Sequence, residues 1–221
     1  REVKRILRDD GTLWLNLGDS YASNGCYINA WLQKDHNKGK KHLHTNNHER
    51  YEDRKAFRGG EYGIKAKDLI GIPWRVAFAL QADGWYLRQD IIWNKPNPMP
   101  ESVEDRCTKA HEYIFLLSKK PKYYYDHEAV KEATVNNAEK KNKRSVWTVN
   151  AKGYKGAHFA VYPENLIEPC VLAGCPKGGT VFDPFTGSGT TAVVALKNGR
   201  NFVGCELNPE YVKITEDRIK E

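Results

Sequence analysis

A glycine-rich turn between an apolar strand and a helix constrains the fold more than any other feature of the chain. It lies in Thr180–Ala192, which reads Thr-Val-Phe-Asp-Pro-Phe-Thr-Gly-Ser-Gly-Thr-Thr-Ala. The stretch from Asn201 to Glu206 follows as a second short apolar strand that ends in an acid. The glycines let the backbone close tightly around a ligand, and an acid about 20 residues further on can accept hydrogen bonds from ribose hydroxyls. This arrangement predicts a site for a nucleoside-containing cofactor.

Strand and helix patterns alternate along the rest of the chain. Apolar runs at 12–17, 86–93 and 111–117 are typical of buried strands, and residues 68–82 repeat apolar side chains at helical spacing. Such alternation predicts an α/β fold, with a mostly parallel twisted sheet and helices on both faces. The cofactor-type strand–turn–helix usually opens a nucleotide-binding domain, yet here it comes last, so the motif order is permuted. Because two strands form no stable sheet alone, we expect the last two to pair with strands encoded earlier.

The chain length of 221 residues suits one α/β domain. We expect a single domain over 1–221, with a polar, basic insertion at about 22–66 and a short basic region at about 126–156. The first residues, Arg1 to Leu7, resemble the last turns of a helix, so we expect that an N-terminal piece is missing. The chain contains no apolar run of about 18 residues, so no membrane span is predicted. The five cysteines form no C-x-x-C pair, which favours reduced thiols in the cytoplasm.

The charge balance of the chain suggests a polyanionic partner. The formal net charge is +7, from 35 lysines and arginines against 28 aspartates and glutamates. Nucleic acid is the usual partner of such a surface, although a basic surface that only aids solubility gives the same balance. The histidines and cysteine within 26–48 match no zinc spacing, so no metal site is predicted.

Asp183 distinguishes between two kinds of cofactor. The run Gly187-Ser-Gly-Thr-Thr-Ala192 fits the G-x-G-x-x-[G/A] pattern of nicotinamide and flavin sites, which is a weak signal alone. A carboxylate at the end of the preceding strand opposes a pyrophosphate, whereas it suits the sulfonium and ammonium groups of S-adenosyl-L-methionine (AdoMet). We therefore favour AdoMet. A dinucleotide and a purely structural glycine turn are the alternatives.

Two motifs resemble those of a known enzyme family. Asp183-Pro-Phe-Thr-Gly-Ser-Gly-Thr-Thr191 and Gly204-Cys-Glu-Leu-Asn-Pro-Glu-Tyr211 are similar to the AdoMet-binding motifs of the amino-methylating DNA methyltransferases. The permuted order matches the β-group of that family. Further matching segments occur in the same order and extend the resemblance over nearly the whole chain: 11–21, 71–80, 91–98, 111–115 and 156–163. The resemblance implies a Rossmann-like, AdoMet-dependent methyltransferase fold.

The resemblance also implies which residues bind the cofactor. These are His158, Phe159, Asp183, Phe185, Thr186, Gly187, Ser188, Gly189, Thr190, Glu206, Leu207 and Asn208. Glu206 is expected to hold the ribose hydroxyls, with Leu207 and Asn208 beside the adenine. His158 and Phe159 are expected at the methionine end, although a loop histidine bonded to nearby backbone is an alternative for His158.

The basic loops supply the candidates for DNA contact. They lie in the insertion 22–66, in 95–109 and in 140–155, and a solvated surface charge is the alternative for each. The residues singled out are Lys95, Asn97, Arg106, Lys109, Lys143 and Arg144. Asp19 and Tyr21 end a strand on the expected catalytic side, where a simple turn is equally compatible with the sequence.

The implied reaction is transfer of a methyl group from AdoMet to an exocyclic amine of a base flipped out of double-stranded DNA. Cytosine N4 is favoured over adenine N6. The family positions this amine with a tetrapeptide of the type (Asp/Asn/Ser)-Pro-Pro-(Tyr/Phe), which occurs nowhere in the 221 residues. No catalytic residue is therefore assigned, and we expect the tetrapeptide in the missing N-terminal piece.

The resemblance further implies a setting and leaves two rival functions. The setting is a restriction-modification system in the cytoplasm of a bacterium or of a phage-infected cell. One rival is an RNA or protein methyltransferase. The other is a catalytically silent remnant that binds AdoMet and DNA without transferring a methyl group.

Overall fold

The computed structural model describes residues 1–22, 64–134, 139–151 and 161–220. Within these ranges the chain forms five helices, eight strands and one 3-10 turn. In chain order they are α1 (Glu2–Ile6), β1 (Thr12–Leu17), α2 (Ile72–Ala82), β2 (Tyr86–Asn94), β3 (His111–Ser118), the 3-10 turn (Glu128–Val130), β4 (Glu132–Ala133), β5 (Lys140–Lys141), β6 (Val146–Thr148), α3 (Glu164–Gly174), β7 (Thr180–Asp183), α4 (Thr190–Lys197), β8 (Asn201–Gly204) and α5 (Pro209–Arg218).

The largest sheet has four strands in the order β1-β3-β2-β6. Strand β3 runs antiparallel to both β1 and β2, whereas β2 and β6 are parallel. The α/β class is confirmed, but this sheet is mixed, so the expectation of a mostly parallel sheet needs correction. The reason lies in the connection between β2 and β3, since residues 95–110 contain three prolines and no helix. A parallel return requires a crossover, usually helical, and a connection without one brings the strand back antiparallel.

The glycine turn lies in a smaller parallel unit. Strands β7 and β8 pair in register from Thr180 opposite Asn201 to Asp183 opposite Gly204. Helix α4 connects them as the crossover, and its residues 190–195 are buried. Among the described residues β7 and β8 pair only with each other, so the expected pairing with earlier strands is not found there. Packing of α4 against α3 holds this unit instead.

Two clusters of buried side chains lie on opposite faces of the four-stranded sheet. Ile114 of β3 packs with Leu166 and Cys170 of α3. Phe115, the next residue of β3, packs with Ala77 of α2. Because successive side chains of a strand point to opposite faces, α3 and α2 cover different faces of the sheet. Helices on both faces are therefore confirmed.

The chain divides into two compact units, one formed by Arg1–Gly18 with Pro73–Glu221 and one by Asp19–Ile72. Most of the expected insertion at 22–66 lies outside the described residues, as do 135–138 and 152–160 of the expected basic region 126–156. No helix within the described ranges has the length and apolar character needed to cross a bilayer.

Asp19 and Tyr21 belong to the compact unit formed by Asp19–Ile72, where both take part in backbone structure. Oδ1 of Asp19 accepts hydrogen bonds from the backbone amides of Gly71 at 2.9 Å and Ile72 at 3.0 Å. Tyr21 forms an antiparallel bridge with Leu69. These contacts match the turn alternative for both residues, because a carboxylate that accepts backbone amides stabilises local geometry.

Candidate functional site

Asp183 ends β7, and three hydrogen-bond donors of the chain hold its carboxylate. Oδ1 accepts the backbone amide of Phe185 at 2.9 Å. Oδ2 accepts the hydroxyl of Thr191 at 2.7 Å and the phenol of Tyr162 at 3.2 Å. An ionised carboxylate has about four acceptor positions, so this one is fixed in orientation and retains capacity for a further donor.

Tyr162 is a member of the site that the sequence did not identify. Burial, and then the negative charge of Asp183, raise the pKa of its phenol above the ordinary value. The phenol is therefore neutral across the physiological range, and its hydroxyl also lies 2.7 Å from that of Thr191. Tyr162 lies in the segment 156–163, where the resemblance drew attention to His158 and Phe159 only. A half-buried tyrosine two residues before a helix start gave no separate signal.

The glycine turn, residues 183–190, needs its glycines for two different reasons. Gly187 and Gly189 both have positive φ angles, of 55° and 80°. A Cβ atom at Gly189 would also come within 2.6 Å of the Thr215 side chain on α5. Thr215 in turn donates its hydroxyl to the carbonyl of Gly187 at 3.2 Å. The close approach of α5 therefore depends on the missing side chain at Gly189.

Glu206 follows β8 and accepts hydrogen bonds from both segments of the site, the glycine turn and the residues after β8. Its Oε2 accepts the amide of Gly187 at 2.8 Å, and its Oε1 accepts the amide of Asn208 at 2.9 Å. The Asn208 amide, then the Gly187 and Leu207 amides, hold the pKa of the Glu206 carboxyl below its ordinary value, against the opposing effect of burial. Asn208 caps α5 by accepting the amide of Glu210 at 3.0 Å. Glu206 is thus a fixed anion beside the turn.

Four backbone amides of the turn are already bonded inside the protein. The amides of Phe185 and Gly187 donate to the carboxylates of Asp183 and Glu206. Those of Thr186 and Gly189 donate to the carbonyls of Cys205 and Thr186, each at 3.0 Å. A pyrophosphate would need such amides and would meet two carboxylates instead. The arrangement disfavours a dinucleotide and suits a cofactor with positive charge and ribose hydroxyls.

Two large apolar side chains beside the acids are exposed. Phe185 is 86% exposed and Leu207, next to Glu206, is 102% exposed. Apolar groups in such positions can cover a planar base. By contrast, Ser188 and Thr190 are buried and support the turn from behind.

Arg218 of α5 is a second residue that the sequence did not identify. Its Nη1 donates to the Ser188 carbonyl at 2.7 Å and lies 3.3 Å from the Thr190 hydroxyl. Its Nη2 lies 3.4 Å from a carboxylate oxygen of Glu164 at the start of α3. These contacts link three elements around the turn. No local pattern signals them, because Arg218 lies far along the chain from its partners.

His158 and Phe159, expected at the methionine end, lie outside the described residues. The remaining ten residues expected at the cofactor fall in two neighbouring segments at the ends of β7 and β8. Within the described part of the chain, no group of three or more His, Cys, Asp or Glu side chains is placed to hold a metal ion.

Lys95 and Asn97 follow β2, and both have partners inside the protein. The Lys95 ammonium forms an ion pair with Glu112 and lies 4.2 Å from the ring centroid of Trp93. The Asn97 side chain exchanges two hydrogen bonds with the backbone of Ala151, each at 2.8 Å. These contacts fix the loop after β2 against the segment after β6. A role of either residue in DNA contact stays a prediction.

Arg106 and Lys109 lie in the same loop, where both contact Glu101. Nη1 of Arg106 is 2.5 Å from Oε2 of Glu101, and that same oxygen accepts the backbone amide of Lys109 at 3.2 Å. The side chains of Arg106 and Glu101 are 26% and 31% exposed, so the pair is only partly open to solvent. The carboxylate therefore organises the end of the loop.

Lys143 and Arg144 precede β6 and differ in their contacts. The ammonium of Lys143 lies 5.0 Å from the ring centroid of Trp147. Nε of Arg144 lies 2.5 Å from Oε1 of Glu132, with an arginine side chain that is 73% exposed. The six candidates for DNA contact therefore fall in two places, the loop after β2 and the segment before β6.

Comparison with known proteins gives consistent matches over the length of the chain. The sequence model of a family described as DNA methylase, of the N6 and N4 type, matches residues 1–217. Type II methyltransferase M.SmaI of Serratia marcescens is 54% identical, over 99% of this chain and 70% of that protein. Type II methyltransferase M.Cfr9I of Citrobacter freundii is 52% identical, over 99% of this chain and 68% of that protein.

Solved structures resemble the chain in fold. The cytosine-N4-specific PvuII DNA methyltransferase superposes with a TM-score of 0.67 at 20% identity, over 98% of this chain and 66% of that chain. A DNA modification methylase of Thermus thermophilus, solved with AdoMet, gives a TM-score of 0.59 at 21% identity, over 99% of this chain and 72% of that chain. The Rossmann-like fold expected from the motifs is confirmed.

Proposed function

The chain belongs to the DNA methylase family of N6 and N4 amino-methyltransferases, and from that premise we propose that it transfers a methyl group from AdoMet to an exocyclic amine of a base in double-stranded DNA. We propose cytosine N4 as the target in preference to adenine N6, and a bacterial modification system as the setting. The relatives named above are Type II methyltransferases, which supports this setting.

One observation carries the choice of AdoMet. The amides of Phe185 and Gly187 are bonded to the carboxylates of Asp183 and Glu206, so the turn presents fixed negative charge where a phosphate-binding turn presents free amides. A positively charged cofactor is stabilised at such a position, and a pyrophosphate is repelled. The residues present therefore fit AdoMet and do not fit NAD or FAD.

Each side of the site then has a separate binding role. Glu206, ionised because its pKa is lowered, accepts the ribose hydroxyls on acceptor positions that the two amides leave open. Phe185 and Leu207 cover the adenine. Asp183, held by Tyr162, attracts the cationic end of the cofactor. AdoMet when bound supplies an activated methyl group, and the contribution of the chain is to fix its position.

DNA binding is proposed from charge. The net charge of +7 favours the phosphate backbone, and the candidates after β2 and before β6 are the first residues to test. Extrusion of the target base into the site is part of the proposal, because the amine is inaccessible inside a stacked duplex.

A second candidate function is binding of AdoMet and DNA without methyl transfer. It is favoured by one observation, the lack of an (Asp/Asn/Ser)-Pro-Pro-(Tyr/Phe) tetrapeptide among the 221 residues. The two functions make different predictions about a single reaction mixture, so one experiment separates them.

The test is incubation of the 221-residue chain with duplex DNA and AdoMet carrying a labelled methyl group, followed by nucleoside analysis. N4-methyldeoxycytidine would show that these residues methylate cytosine without the tetrapeptide, and N6-methyldeoxyadenosine would correct the target. Calorimetry with AdoMet on the same sample, in which we expect Asp183→Asn to weaken binding at least ~10-fold and Asp217→Asn to leave it unchanged, tests the cofactor site. AdoMet binding without a methylated nucleoside would favour the second candidate, and failure to bind AdoMet would overturn the proposal.

A further inference from the structure

A polar cavity of about 280 Å³ opens beside the first half of β2. We name it the bulge cavity, because β2 has a register shift between Leu87 and Gln89 where it pairs with β3. Arg88 is the extra residue at this shift, and it lines the cavity. A β-bulge redirects the side chain that it carries, and bulges are common beside binding sites. At ~3.3 Å per residue, Arg88 lies roughly 20 Å along the strand from Asn94, where the candidate DNA loop begins.

The bulge cavity is basic. Its nine lining residues include Arg88, His127 and Lys143, and none of the nine is acidic. Among the ion pairs formed by the described residues, neither Arg88 nor Lys143 has a carboxylate partner. His127 does have one, because its Nε2 lies 2.9 Å from a carboxylate oxygen of Glu128. Two cations without a paired acid at one concave site favour an anionic ligand.

Aromatic rings line the bulge cavity beside these cations. The guanidinium of Arg88 lies 5.6 Å from the ring centroid of Tyr123 and donates to its hydroxyl at 3.1 Å. Tyr125, which is 37% exposed, stacks on Trp14 with the two planes 23° apart. A tyrosine ring held in this way offers a platform on which a base can stack. The Gln89 amide, also in the lining, adds a donor and an acceptor for the edge of a base.

We propose that the bulge cavity binds a nucleotide, with the phosphate on Arg88 and Lys143 and the base against Tyr123 and Tyr125. A cation beside an aromatic ring suits a phosphate joined to an aromatic base better than it suits a simple anion. The volume lies near the lower limit of small-molecule sites, roughly 300 Å³, which suits one nucleotide unit. The cavity shares no residue with the glycine turn and shares only Lys143 with the candidates for DNA contact, so this proposal goes beyond methyl transfer and does not rest on it.

The ligand chemistry has two sources, a free mononucleotide and a nucleotide unit of a DNA strand. Thymidine monophosphate is a suitable probe, because it is neither an adenosine that could occupy the cofactor site nor a cytosine or adenine target. The chain is titrated by calorimetry with thymidine monophosphate, with thymidine and with inorganic phosphate. We expect the nucleotide to bind at least ~10-fold more tightly than either part, since the charged and stacking contacts then act together.

Variants locate the binding. Arg88→Gln is expected to weaken binding of thymidine monophosphate ~10-fold, and Arg88→Lys to have an intermediate effect because it keeps the charge and loses the planar fork. The matched control is Lys122→Gln, which removes one exposed positive charge nearby without touching the cavity lining. Arg88 is itself exposed, so the melting temperature of the variant is expected to match that of the wild type and verifies folding.

Competition then identifies the source. Displacement of the probe by a short single-stranded oligodeoxynucleotide assigns the cavity to a DNA strand, whereas binding that the strand leaves intact assigns it to a free nucleotide. Failure of thymidine monophosphate to bind, or binding that Arg88→Gln leaves unchanged, would overturn the proposal. Methyl transfer by the Arg88→Gln variant is measured separately. Failure of the bulge cavity to bind a nucleotide is then distinguished from failure of the proposed function.

Discussion

The glycine turn and the two basic segments, which are the loop after β2 and the stretch before β6, use charge in opposite ways. At the turn, Asp183 and Glu206 are fixed by amides and hydroxyls from neighbouring backbone and side chains. In the basic segments, long side chains such as Arg144 reach single acids across partly exposed surface. The first arrangement holds anions in place, whereas the second leaves cations that can exchange an acid of the protein for a phosphate. Position matters most at the turn, and total charge matters most in the basic segments.

The largest effect is expected where the turn depends on a missing side chain. Gly189→Ala adds a methyl group 2.6 Å from Thr215 at a residue whose φ is 80°. We expect a loss of ~3 kcal/mol in the free energy of unfolding, from left-handed strain and overpacking combined. Denaturant unfolding monitored by circular dichroism measures it.

Gly178→Ala is the matched control for that substitution. Gly178 has a similar φ of 78°, but nothing lies within 4 Å of the position of a Cβ atom. The control should lose only ~1 kcal/mol, the cost of left-handed backbone alone. Equal losses in the two variants would show that the approach of Thr215 contributes nothing, and would remove the argument that α5 must lie close to the turn.

The next effect concerns Glu206 and depends on pH. Its folded-state pKa lies below the ordinary 4.5, so the ionised carboxylate stabilises the folded turn. That stabilisation is fully present above about pH 4.5 and is lost as the pH falls through the lowered folded-state pKa. Glu206→Gln places an amide NH2 against one of the two backbone donors, and we expect ~1 kcal/mol lower stability at pH 7.

Unfolding at several pH values tests this sign. The difference between wild type and Glu206→Gln should be constant from pH 7 to about pH 5 and should shrink below the ordinary glutamate value of 4.5. Glu210→Gln, on the exposed first turn of α5, serves as the control, and its difference should remain near zero. A difference that grows towards acid would contradict an anion held by backbone amides.

A smaller effect is expected for Tyr162→Phe, which removes one donor to Asp183 and keeps the ring. Two other donors still hold the carboxylate, so we expect ~1 kcal/mol lower stability and a several-fold weaker affinity for AdoMet. Calorimetry and unfolding measure the two quantities. Tyr86→Phe, at a side chain that is 44% exposed, is the control and should alter neither. Unchanged affinity for AdoMet would confine Tyr162 to a packing role.

These contacts also show what the sequence could and could not predict. The strand, the turn and the acid after β8 follow local patterns, because glycine spacing and apolar runs determine them within a few residues. The bond from Tyr162 to Asp183 spans 21 positions, and the contact of Arg218 with Thr190 spans 28. Such pairs depend on how α3 and α5 pack, which no local pattern specifies.

The basic segments show the same limit of prediction from local sequence patterns. The sequence made Lys95 a candidate for DNA contact, but antiparallel pairing places Trp93 opposite Glu112 and so brings that acid beside Lys95. The pairing follows from a connection without a helix between β2 and β3, whose direction the apolar runs alone left open. Composition therefore gives the net charge of +7 and cannot show which cations are already paired.

The smallest effect separates two adjacent cations before β6. Lys143→Gln removes a charge with no carboxylate partner among the described ion pairs, and Arg144→Gln removes one that Glu132 already partly neutralises. If the segment contacts DNA, the plot of log affinity against log salt should lose ~0.9 of slope for Lys143→Gln, one phosphate contact, and clearly less for Arg144→Gln. Fluorescence anisotropy with a labelled duplex at several salt concentrations measures both slopes. Equal and full losses of slope would mean that Arg144 leaves Glu132 for the phosphate. Pairing within the protein would then not prevent a cation from binding DNA. No loss in either variant would remove this segment from the DNA surface and leave the loop after β2 and the insertion at about 22–66 as the remaining candidates.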